Sequence, residues 1–175
     1  MRKKTLIICA GMLGVFMVFM CTGAMAVNPT NNVVTVGVAP TINLVMTGTP
    51  VDYGVLAPPT TDTTKVLGVT ISSNKAWSLN VSKNQDLTMT KGATTYTIPS
   101  ANFLYKCQNV GAGVTNNQVA YAPFPLVDTL LASGIRGISR TLDVQYSLTI
   151  DWDTEAYDVV TDQYTATHTY TATQP

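Results

Sequence analysis

Apolar and polar side chains alternate with a period of two along most of the chain beyond residue 33, the pattern of strands with one face on a core. Val34, Val36 and Val38 form a first row, Pro40 interrupts it, and Ile42, Leu44 and Met46 continue it up to a break at Gly48-Thr49-Pro50. Residues 51–56 read as another short strand, closed by Ala57-Pro58-Pro59 and a threonine-rich loop. Leu67, Val69 and Ile71 make the next inward row. After a turn at Ser73-Asn74-Lys75, Trp77, Leu79 and Val81 return on a neighbouring strand, with Ser78, Asn80 and Ser82 outward. Lys91-Gly92 is a hairpin tip between Leu87/Met89 and Tyr96/Ile98, and residues 103–107 form a further strand.

The alternation weakens from Asn109 to Arg140, where Asp128 ahead of Leu130 and Leu131 reads as the cap of one helical turn. It returns as Leu142, Val144, Tyr146, Leu148, Ile150 and Trp152, expected inward. A last strand sets Tyr164, Ala166, His168, Tyr170 and Ala172 against a row of threonines, and is expected to pair with the preceding one through a hairpin. About nine strands, turn signals between them and no long helix predict an all-β, antiparallel two-sheet sandwich.

The first residues follow another rule. Arg2, Lys3 and Lys4 precede an apolar run from Leu6 to Met20, and Ala24-Met25-Ala26 offers small residues where a signal peptidase reads. The run is shorter than a spanning helix needs. Residues 1–26 are therefore expected to be a cleaved signal peptide, and 27–175 a single exported domain with no membrane anchor after cleavage.

Export changes the charge picture. The ten basic and ten acidic residues cancel, but three of the basic ones lie in the leader and all the acidic ones beyond it, leaving seven against ten. An acidic mature chain lacks the basic footprint of a nucleic-acid binder. Cys9 and Cys21 also belong to the leader, so Cys107 stands alone, on a face with Phe103 and Tyr105 that predicts burial rather than a disulfide.

Candidate chemistry is sparse. Asp151, Asp153 and Glu155, with Asp158 and Asp162 beyond, could supply oxygen ligands to Ca²⁺, although the stretch lacks the glycine and spacing of an EF-hand and reads rather as a solvated hairpin tip. No other cofactor is expected. His168, the single histidine, falls on the core face with no nucleophile motif to serve. Trp77 and Trp152 are expected in the core rather than stacked on sugars. Asn80-Val-Ser82 is a glycosylation sequon on an outward row.

Three stretches together resemble a known family: Ala76-Trp-Ser-Leu-Asn-Val81, Pro50-Val-Asp-Tyr-Gly-Val-Leu56, and the ending from Tyr146 through Trp152 to the Tyr164–Thr173 repeat of threonines. They are similar to secreted prokaryotic immunoglobulin-like domains, and more specifically to WxL surface domains, with Trp77 and Leu79 as the WxL-like pair. The family's second Trp-x-Leu is replaced here by Thr169-Tyr-Thr-Ala172. The resemblance implies an immunoglobulin-like sandwich at the cell surface, attached non-covalently to the wall. The expected function is a non-enzymatic structural or adhesive module, with a cell-wall or surface polymer or other surface proteins as partners. Two alternatives stand beside it: a carbohydrate-binding accessory domain, and a self-assembling extracellular filament subunit whose residues 33–38 complete a neighbour's sandwich.

Overall fold

The computed structural model describes residues 34–158 and 162–175. The expected signal peptide lies outside them. The chain divides between Val38 and Ala39 into two units, and the strands among the described residues lie in the second.

Among the described residues twelve strands run in the order β1 (Ile42–Thr47), β2 (Thr60–Asp62), β3 (Val66–Ser73), β4 (Trp77–Lys83), β5 (Leu87–Lys91), β6 (Thr94–Ile98), β7 (Phe103–Gln108), β8 (Val114–Asn116), β9 (Ala122–Pro123), β10 (Thr129–Gly134), β11 (Gly137–Ile150) and β12 (His168–Thr173). All pairings are antiparallel. One sheet has the order β1-β3-β11-β7-β9, with β2 also on β11; a second has the order β12-β4-β10-β8; β5 and β6 form a separate hairpin. Among the described residues there is one short 3-10 turn (Ser100–Asn102) and no α-helix, and no helix is long and apolar enough to cross a membrane.

The two larger sheets make a sandwich-like pair around one core. Leu67, Val69 and Ile71 of β3, with Leu142, Val144 and Tyr146 of β11, come from the first sheet; Trp77, Leu79 and Val81 of β4, with Leu131 and Ala132 of β10, come from the second. The rows on β3, β4 and β11 are the period-two sets expected from the sequence, and each of these residues, those of β10 included, is at most 2% exposed. Cys107 is buried on β7, and burial pushes its thiol up to about 12. A deprotonated sulfur is therefore suppressed at neutral pH.

Several expectations are corrected. Residues 34–41 and 51–56 form no strand. In the second stretch the Asp52 carboxylate accepts from the Gly54 N–H, and Gly54 adopts a φ of 62°, a local turn that takes the backbone out of a ladder. The turn after β3 does not join paired neighbours: β3 and β4 belong to different sheets. Asp128 caps no helix; β10 follows it, and its carboxylate accepts from the Ser82 hydroxyl at 2.7 Å. Trp152 lies beyond the end of β11 and is 75% exposed rather than inward. The last strand pairs with β4 instead of β11, so the chain changes sheets between them.

Candidate functional site

A concavity of about 330 Å³ lies at the end of the second sheet, lined by Trp77, Ser78, Thr115, Ser133, Gly134 and Ile135, with Ala76, Gly113 and the terminal Pro175 at its margin. Strand register assembles it. Ser133 stands opposite Ser78 on β4 and opposite Thr115 on β8, and Ser78 stands opposite Thr173 on β12. Four hydroxyl side chains thus form one row across four strands, on the outward positions of each.

Beneath the row, Trp77 approaches β10 where only glycine allows it. A Cβ at Gly134 would sit 2.3 Å from the indole Cζ2 and 2.8 Å from Nε1. The ring is buried, and its Nε1 hydrogen has no acceptor among the described residues. A buried N–H without a partner is costly, and this one stands on the core side of β4, opposite the outward hydroxyls. Ile135, 58% exposed, adds an apolar wall. The arrangement can hold a small uncharged group that contacts hydroxyls and an aliphatic side chain.

The residues singled out in the sequence are distributed as follows. Trp77 and Leu79, the WxL-like pair, are both in the core. Asn80 is half-buried in mid-β4, opposite Thr171 on one side and Leu130 on the other. Asp151 accepts from the Asn102 side chain at 2.7 Å, while Glu155 and Asp158 both bind Lys91 Nζ, at 2.8 and 3.0 Å. Asp151 and Glu155 thus have different partners, and among the described residues no group of three His, Cys, Asp or Glu side chains is placed to hold a metal ion.

His168 is half-buried and stacked on Phe124, ring centroids 3.7 Å apart, with Phe103 and Tyr146 also in stacking range. Burial, with Lys83 adding to it, pushes the ring down to about 4, so it is neutral at physiological pH. Its Nε2 has no hydrogen-bond partner among the described residues. An aromatic stack gives it neither a nucleophile to activate nor a carboxylate to orient it.

The sequence pointed to Trp77 as core and to Ser78 as outward, but gave no sign of Ser133, Gly134 or Thr115. No protein-family model matches the chain, and no curated protein matches it.

Proposed function

We propose that this chain is a secreted, non-enzymatic structural or adhesive module of the cell surface, an immunoglobulin-like sandwich of the WxL type released by cleavage of residues 1–26, and that it holds a wall or surface polymer at the Trp77 concavity. The observation that carries this reading is the row of hydroxyls from Ser78, Ser133 and Thr115 lining an open concavity beside the exposed Ile135. A polysaccharide bearing acetamido groups suits the site: its hydroxyls and carbonyl meet Ser78, Ser133 and Thr115, and its methyl packs on Ile135. The low charge of the chain, 11% Asp, Glu, Lys and Arg, fits an uncharged polymer better than an ionic one. The stacked, neutral His168 supports the non-enzymatic part of the reading.

Co-sedimentation of the purified protein with insoluble peptidoglycan and with chitin tests it. Ser133 is half-buried on an outward position, so Ser133→Arg fills the concavity without entering the core. The wild type is expected to pellet with at least one of the two polymers and Ser133→Arg to lose roughly tenfold in affinity, the loss of one or two good contacts. Equal binding by both proteins, or no pelleting of the wild type, would refute the assignment of the site.

A further inference from the structure

We infer that two copies of this chain pair head to head, the valine arm at residues 34–38 of each adding antiparallel to the free edge of β1 of the other. Among the described residues the arm has no strand partner and the outer edge of β1 has none. Val34, Val36 and Val38 are 83%, 84% and 79% exposed, with no strand pairing. Three valines in a row on a period of two are a costly surface for water. The terminal strand β1 pairs only with β3 among the described residues. Its inward row is poorly closed as well: Ile42 and Leu44 are only partly buried, and Met46 is 38% exposed, while Val69 and Ile71 opposite are at most 1% exposed.

Register makes the two complementary. The carbonyl of Thr41 accepts from the N–H of Asn74, so the backbone of Thr41 faces the β3 side. By alternation the N–H and C=O groups of Asn43 and Val45 face β3 too, and those of Ile42, Leu44 and Met46 face the free edge. An antiparallel copy set with Val38 opposite Ile42, Val36 opposite Leu44 and Val34 opposite Met46 bonds those groups. It also lays the valines on the same face as the half-covered inward row.

Because arm and edge are contiguous in sequence, this register is its own inverse. The dyad passes Pro40, and each arm meets the other chain's β1, an isologous contact that closes at two copies. At the dyad itself Pro40 has no N–H to donate, so the ladder skips that one pair. The backbone beside it is already satisfied within the chain, where Asn74 donates from its side chain to the Ala39 carbonyl and accepts from the Thr41 N–H. Joined in this way, the two β1 edges disappear into one continuous sheet, which removes a template for uncontrolled pairing.

Sedimentation of the full chain, purified after expression in a secreting host, tests the inference. The expected wild-type species has about twice the mass of one processed chain. Val36→Pro deletes the N–H that reaches Leu44, and Val36→Lys puts a charge on the buried face; both alter an exposed residue, so each is expected to stay folded by circular dichroism and to sediment at the single-chain mass. The double variant Thr35→Cys, Val45→Cys places thiols at a non-hydrogen-bonded pair, with Cα atoms about 4.5 Å apart, close enough to bridge. It is expected to oxidise to a covalent dimer, while Thr35→Cys with Asn43→Cys does so far more slowly. A wild type at single-chain mass, a ladder of larger species, or cross-linking indifferent to register would each overturn the inference, the ladder pointing to a filament.

Discussion

Replacing Trp77 by alanine is expected to lower the unfolding free energy by about 3–5 kcal/mol, the range for deleting a large buried aromatic. The indole is 2% exposed and belongs to the core cluster with Leu79, Val81, Leu131 and Leu142, residues that span both sheets. It also rests against the backbone of Gly134, and strands on two hydrogen-bonded sheets cannot close around the space it vacates. Phenylalanine at the same position is expected to cost less, about 1–2 kcal/mol, because the indole N–H has no partner to lose and only part of the ring volume is removed. Urea denaturation measures both. A loss below about 1 kcal/mol for Trp77→Ala would place the residue outside the core. Equal losses for the two variants would mean that the indole N–H makes a stabilising bond.

Asp86→Ala is the second large effect. Lys83 is 7% exposed on the inward row of β4, and its ammonium binds the Asp86 carboxylate and, at 2.7 Å, the Ser100 hydroxyl. Removing the carboxylate leaves a buried cation with one neutral partner. The expected loss is about 2–3 kcal/mol, below the figure for a fully buried pair because the Asp86 side chain is 33% exposed. Lys83→Met is expected to cost less, since the carboxylate left behind can turn to water. The reverse order in urea denaturation would refute this reading of the pair.

The same groups set the acid limb of stability. Bonds from Lys83 and Ser100 hold the Asp86 carboxyl below the usual carboxylate range. The unfolded chain thus takes up that proton first, near pH 4, and the stabilisation is complete above this value and lost as pH falls through the folded one. His168 acts in a higher window. Its ring, enclosed by Phe103, Phe124 and Tyr146 and facing Lys83, is lowered from 6.5 to about 4, so the unfolded state binds more protons and stability declines as pH drops from 6.5 to 4. Asp86→Ala should flatten the limb below pH 4 and leave the His168 limb in place.

The rows on β3, β4 and β11 were legible because a half-buried strand writes its faces into the sequence residue by residue. Pairing partners were not, since alternation states which face a residue takes and nothing about the strand beside it. The threonine-rich ending fits a hairpin onto β11 as well as an edge on β4, and the structure takes the second. β10 was hidden for a different reason. A register shift between Leu130 and Ala132 puts Leu131 and Ala132, both 0% exposed, next to each other, and two consecutive buried residues after an aspartate look like a helix start. The concavity was illegible for a third. It depends on Gly134 meeting Trp77 across the β4–β10 ladder, and a glycine beside a serine carries no local sign of that approach.

The central claim is that a ligand seats in the concavity beside Trp77, and tryptophan fluorescence tests it most directly. The chain has two tryptophans, and Trp152 is exposed outside the concavity. Trp152→Phe therefore leaves Trp77 as the only indole without disturbing the core. Titrated with soluble chitin and peptidoglycan fragments, this variant is expected to show a saturable change in Trp77 emission that Ser133→Arg abolishes. Emission that stays constant while the same fragments bind the protein would place the ligand elsewhere and contradict the assignment.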